Sequence, residues 1–198
     1  MLMLKAGNDN AVIVLHEIYG INDHIKKMCD IYHGLGFDIF CPDLLMRDAY
    51  FLYEQHEQAY NYFMNNCGFN TTSVEKLVNE LKEKYKKVII IGFSVGATLS
   101  WLCSETSQCD GVVSFYGSRI RDYTDVTPRC PTLVIQAKYE SAYNHSHLQK
   151  KLANKPMMLF SIFNGYHGFC DRFSASFNEE ESEKAIALSF DFINKIVN

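Results

Sequence analysis

Apolar residues gather along the chain in short runs at 11–15, 37–41, 88–91, 112–116, 132–136 and 157–163. Most of these runs are near-continuous rather than alternating, the pattern of strands buried on both faces. Between them apolar residues fall at helical spacing over 23–35, roughly 50–65, 73–85, 95–105, 141–152 and 179–197. Strands alternating with helices predict an α/β fold: a doubly wound, mostly parallel sheet of about six strands with helices on both faces. Local chemistry agrees with the helix positions. Thr72 or Ser73 can cap the third helix, and Asn178 followed by Glu179, Glu180 and Glu181 places acids at the positive end of the last. Gly34-Leu35-Gly36 closes a helix before a strand and lacks the third glycine of a dinucleotide loop. No internal repeat, low-complexity stretch or linker breaks the pattern, and 198 residues suit one domain.

The most informative motif follows the third run. Gly92-Phe93-Ser94-Val95-Gly96 stands between a β-branched strand and a helical segment, the context of a GxSxG nucleophile elbow. A sharp strand-to-helix turn puts the Ser94 hydroxyl at its tip, beside the free backbone N–H groups that open the helix. In the common doubly wound order the first and third runs are neighbours at the switch point of the sheet, where ligands bind at the carboxyl ends of the strands. The first run ends in His16-Glu17-Ile18-Tyr19-Gly20, so this loop and the elbow converge on one crevice.

A serine hydroxyl needs a base to take its proton and an acid to hold that base's tautomer. In the order nucleophile, acid, histidine, only His145, His147 and His167 follow Ser94. His167 sits just after the last strand in a glycine-containing loop, Asn164-Gly165-Tyr166-His167-Gly168-Phe169, and is the candidate base. Glu140, at the end of the preceding strand, is the candidate acid, with Asp171 as its rival four residues past the histidine. The Val95 N–H and one from the loop after the first strand, most simply Ile18, are the candidate oxyanion donors.

Composition narrows the partners. Apolar residues make up 47% and aromatic residues 14%, enough for a well-filled core. A net charge of -4 with dispersed lysines offers neither a basic stripe for nucleic acid nor a polybasic membrane patch, so the expected partner is a small molecule. No run approaches the ~20 apolar residues of a membrane span. The seven cysteines form no CxxC pair and read as reduced core residues of a cytoplasmic protein. His16-Glu17 lacks the second histidine of a zinc motif, since position 20 is Gly20, and His145-Ser146-His147 reads as a solvated turn. Neither metal nor cofactor is expected.

Taken in order, His16-Glu17-Ile18-Tyr19-Gly20-Ile21-Asn22, Cys41-Pro42-Asp43-Leu44-Leu45-Met46-Arg47, the elbow, Phe115-Tyr116-Gly117 and His167-Gly168-Phe169-Cys170-Asp171-Arg172 resemble the dienelactone hydrolase family through nearly the whole chain. The resemblance implies an α/β-hydrolase core and cofactor-free hydrolysis of esters or lactones. It also implies Ser94 and His167 in the triad, Ile18 and Val95 as oxyanion donors, and Arg172 as a holder of a substrate carboxylate, with Tyr116 a further substrate-binding candidate. Three positions depart from the family pattern. Ser94 stands where the family's founding enzyme has cysteine, which leaves the matching Glu17 an auxiliary group without a thiol to assist. The acid is Glu140 rather than aspartate, and Ala137 replaces the usual glycine before it. Residues 44–70, with Tyr50, Phe51, Tyr53, Tyr60, Tyr62, Phe63 and Met64, read either as helices packed on the sheet or as an apolar lid suited to acyl or aryl esters. The resulting expectation is a serine hydrolase of a carboxylic ester, lactone or thioester. The alternatives are a peptidase or acyltransferase, and a non-catalytic binding protein on the same fold.

Overall fold

A computed structural model of the protein describes residues 1–140 and 145–198. Its centre is a seven-stranded sheet in the order β1-β3-β2-β4-β5-β6-β7. The strands are β1 Leu2–Leu4, β2 Asn10–Leu15, β3 Asp38–Cys41, β4 Lys87–Phe93, β5 Gly111–Phe115, β6 Thr132–Tyr139 and β7 Met158–Tyr166. The pairings from β3 through β7 are parallel, and only β1 runs antiparallel, against β3. The additional strand is this edge strand. Its three residues alternate, with Leu2 and Leu4 packed against the core and Met3 outward, a signal too short to stand out from the sequence.

The helices are α1 Asp23–Gly34, α2 His56–Asn66, α3 Thr72–Lys82, α4 Val95–Thr106, α5 His145–Leu152 and α6 Glu179–Val197. Successive strand residues face opposite sides, and both sides are apolar. Val12, Val14, Ile89 and Ile91 meet Ile25, Met28 and Tyr32 of α1 and Phe192 and Ile193 of α6. Ala11, Ile13, Val88 and Ile90 meet Phe63 of α2, Val74 and Val78 of α3, and Leu99 of α4. Each such buried side chain contributes on the order of 2 kcal/mol of transfer free energy, which is why the strands read as unbroken apolar runs. A third cluster joins Trp101 of α4 to Leu148 and Leu152 of α5.

Caps behave as their chemistry dictates, with one shift. Asn22 caps α1 by accepting from the Ile25 N–H, and Asn178 caps α6 by accepting from the Glu181 N–H. Thr72 and Ser73 lie inside α3, and the Asn70 side chain accepts from the Thr72 N–H in their place. Of the helix predicted over 141–152, positions 141–144 lie outside the described residues. Among the described residues no helix is long and apolar enough to cross a membrane. The candidate lid resolves into a short 3₁₀ turn, Tyr53–Gln55, leading into α2. Phe51 and Phe63 are buried in the core beneath it. Because β2 and β4 are adjacent while the chain proceeds from them to opposite sides, their carboxyl ends form the switch-point crevice.

Candidate active site

Ser94 follows β4 directly, with φ 53° and ψ -111°, a left-handed conformation forced by its neighbours. A Cβ on Gly92 would lie 2.1 Å from the Gly96 carbonyl oxygen, and one on Gly96 would lie 2.4 Å from that of Leu15. Only glycine at both positions lets the strand reverse this tightly into α4 while α4 abuts the end of β2. The Ser94 N–H donates to the Phe115 carbonyl at 3.0 Å, tying the turn to β5.

The register of the last two strands determines what meets Ser94. Tyr139 of β6 pairs with Tyr166 of β7, so Glu140 and His167 are the next residues of neighbouring strands. His167 Nε2 lies 2.9 Å from Ser94 Oγ, and His167 Nδ1 lies 2.7 Å from Glu140 Oε2. An ionised carboxylate only accepts, so Nδ1 bears the hydrogen and Nε2 is left to accept from the serine hydroxyl. The Glu140 side chain is 5% exposed and the imidazole 37%, so the acid is enclosed while the base faces the crevice. Burial pushes the imidazole pKa down, but the hydrogen bond and charge of Glu140, with the charge of Glu17, push it further up. The net position is above the ordinary histidine value. Asp171, the rival acid, lines the same cavity but has other partners than His167: its Oδ2 accepts from the Tyr53 hydroxyl at 2.6 Å and its Oδ1 from the Phe173 N–H at 2.9 Å.

Val95 opens α4, and its N–H is one of those a helix start leaves without an intrahelical partner. Ile18 lines the same cavity as Ser94. The peptide that carries the Ile18 N–H is held from its other side. His16 Nε2 accepts from the Leu44 N–H at 2.9 Å, so Nδ1 bears the hydrogen and donates to the Glu17 carbonyl at 2.7 Å. The Gly20 N–H reaches the same carbonyl at 3.2 Å. Carbonyl and N–H point in opposite directions across a trans peptide, so anchoring the Glu17 oxygen sets the direction of the Ile18 N–H. His16 is fully buried, and this anchoring role is one that its place in the sequence motif does not reveal.

The Glu17 side chain is buried beside Ser94, and its pKa is pushed up to about 7. Burial is the largest cause and the Asp171 charge the next, partly offset by His167 and by a hydrogen bond from Tyr116. Tyr116 is fully enclosed behind the site, its ring edge-on to His167 with centroids 5.3 Å apart and its hydroxyl 3.3 Å from His24 Nε2. It braces the imidazole from behind and does not face the crevice. Arg172 is also not where a substrate contact belongs. Asp171 turns into the site, and the next side chain turns the other way, into a separate cavity of about 150 Å³ with Lys27 of α1 and Glu183 of α6.

The cavity at Ser94 measures about 240 Å³. Its far wall holds Tyr53 of the candidate lid and Tyr19 of the loop after β2, together with His56, Ser174 and Ser176, which the sequence did not single out. Tyr19 and Tyr53 meet edge-to-face with centroids 4.9 Å apart, and the Tyr19 hydroxyl lies 2.9 Å from His56 Nδ1. These residues come from two loops and the first turn of α2, at positions with no common spacing.

The family model for the dienelactone hydrolase family matches residues 2–197. Protein YczH of Bacillus subtilis (strain 168) is 35% identical over 181 residues, covering 89% of each chain. Carboxymethylenebutenolidase 1 of Cupriavidus pinatubonensis (strain JMP 134 / LMG 1197) is 26% identical over 136 residues, covering 63% of this chain and 58% of that enzyme. Among solved structures, the dienelactone hydrolase-like promiscuous phosphotriesterase P91 from metagenomic libraries superposes with a TM-score of 0.76 at 16% identity, covering 97% of this chain and 88% of that one. That likeness carries the fold, and the family model carries the kinship. The chain has the α/β-hydrolase fold and belongs to the dienelactone hydrolase family.

Proposed function

We propose that the protein is a serine hydrolase that cleaves a carboxylic ester, lactone or thioester through an acyl-enzyme on Ser94. Family membership makes it a hydrolase of ester or lactone type. The observation that supports the finer reading is the hydrogen-bonded chain from Ser94 Oγ to His167 Nε2 at 2.9 Å and from His167 Nδ1 to Glu140 at 2.7 Å. In this reading His167 takes the serine proton as Oγ attacks the carbonyl carbon. The oxygen that becomes negative lies between the Ile18 and Val95 N–H groups, and Glu140 balances the imidazolium. His167 then returns the proton to the leaving alkoxide or thiolate. In the second half His167 deprotonates a water, which attacks the acyl carbon and releases the acid and Ser94.

Glu140, not Asp171, is the acid of this triad, because it is the carboxylate on Nδ1. Glu17 has no thiol to assist; where it is ionised, above its raised pKa of about 7, its charge favours the imidazolium. Residues 44–70 act as a cover through Tyr53 and His56, which face the crevice while Phe51 and Phe63 anchor the segment. The test is turnover of a panel of small activated esters by wild type and Ser94→Ala. The expected loss in kcat is roughly 10⁴-fold or more with the thermal transition unchanged. Near-normal turnover by the variant would remove Ser94 from the mechanism.

A further inference from the structure

We infer that the Ser94 cavity selects uncharged esters and lactones and discriminates against substrates that place a carboxylate in it; this rests on the serine hydrolase reading of the same cavity. Two acidic residues, Glu17 and Asp171, line the cavity, and among the described residues no lysine or arginine lines it. Residues 141–144 are Ser141, Ala142, Tyr143 and Asn144, so they add no lysine or arginine either.

Arg172 and Arg47, the candidate anion clamps, are placed elsewhere. Arg172 lines the cavity between α1 and α6. The Arg47 guanidinium stacks on the Phe51 and Tyr62 rings at 4.0 and 4.9 Å and lines another cavity, with Asp43 and Asp48. Asp171 accepts hydrogen bonds on both oxygens, from the Tyr53 hydroxyl and from the Phe173 N–H, which fix its carboxyl group in the cavity wall.

A substrate carboxylate entering this space would lose water and meet like charge with no cation to replace the water. Uncharged polar groups fare better. The Tyr19 hydroxyl, the His56 imidazole and the Ser174 and Ser176 hydroxyls offer hydrogen bonds around a space of about 240 Å³. The favoured substrate is thus a compact ester or lactone bearing hydroxyl, carbonyl or amide groups.

The probe is a matched pair, 4-acetoxyphenylacetamide and 4-acetoxyphenylacetate. They share an acetyl group and a phenolic leaving group and differ in charge at the far end. The amide is expected to have a kcat/KM at least about tenfold higher. Asp171→Asn should narrow the ratio by raising the value for the carboxylate, and Arg172→Ala should leave it unchanged. Binding of the intact pair to Ser94→Ala, followed by ligand-observed NMR titration, reads the charge preference without chemistry, with the amide again tighter. If wild type hydrolyses neither ester but Ser94→Ala retains this preference, the serine hydrolase reading fails while the charge selectivity stands. Carboxylate turnover or binding equal to that of the amide, no binding of either, or a selective loss of carboxylate turnover in Arg172→Ala overturns the inference.

Discussion

The two walls of the Ser94 cavity are made differently. On one side, Ser94, Glu140 and His167 are the residues that immediately follow β4, β6 and β7, so their mutual distances follow from strand register and the elbow. On the other, Tyr19, Tyr53, His56 and Asp171 come from loops and a helix start, and are held by side-chain contacts such as the Tyr53 hydroxyl on Asp171. The first wall is set by backbone geometry and suits chemistry that tolerates little misplacement. The second is set by side chains that can change without disturbing the sheet, and suits recognition.

The sharpest way to break this contrast is to alter the two carboxylates, one from each wall. Glu140→Gln should lower kcat by roughly 10²- to 10⁴-fold, whereas Asp171→Asn should leave kcat for an uncharged ester within about tenfold, since it touches no triad atom. The same comparison has a pH signature. In the proposed mechanism the base is the uncharged imidazole, so kcat/KM of wild type should fall as pH drops through the His167 pKa, which lies above the ordinary value. In Glu140→Gln that acid limb should move to lower pH, because the carboxylate charge that raises the pKa is gone. An equal loss in both carboxylate variants would mean that the walls do not divide the work this way.

Next in size is the peptide that carries the Ile18 N–H. His16→Phe keeps the ring volume but releases the Glu17 carbonyl, and should lower kcat by about tenfold or more with KM little changed. His16→Gln, which retains a donor, should recover part of the loss; equal stability of the two variants separates positioning from folding. Tyr53→Phe, on the recognition wall, should alter KM by a few-fold and kcat less, in keeping with one lost hydrogen bond of about 1 kcal/mol.

The smallest effect concerns stability. The folded-state pKa of Glu17 is raised from 4.5 to about 7. Below the unfolded value both states are protonated and the full stability is present. As pH rises the unfolded chain ionises first, and stability is lost up to the folded pKa, by at most about 3 kcal/mol. Glu17→Gln removes that loss, so its Tm should exceed that of wild type by a few degrees at about pH 8 and match it near pH 4. An unchanged difference across that range would mean that Glu17 is not held protonated by its surroundings.

The same contrast explains what the chain reveals before it is folded. The β4 run and the glycines around Ser94 are dictated by burial and close approach, so they are written in residue type. Glu140 and His167 stand out as candidates in the sequence because each follows a strand, but the choice between Glu140 and Asp171 stays open there, since the extension of β6 and β7 beyond the apolar runs, which brings Glu140 and His167 side by side, is not visible. Tyr116 and Arg172 could not be placed, because whether a side chain after a strand or in a turn faces the crevice depends on one residue of register. His56 left no mark at all: a histidine at the start of a helix becomes part of a site only when Tyr19, far away in the chain, meets it.

The central claim, an activated serine at the elbow, is tested most directly by intact-protein mass after treatment with a fluorophosphonate, wild type beside Ser94→Ala. One covalent adduct is expected on wild type and none on the variant. No adduct on wild type, or the same adduct on Ser94→Ala, would contradict it and favour a binding protein on this fold or a nucleophile elsewhere.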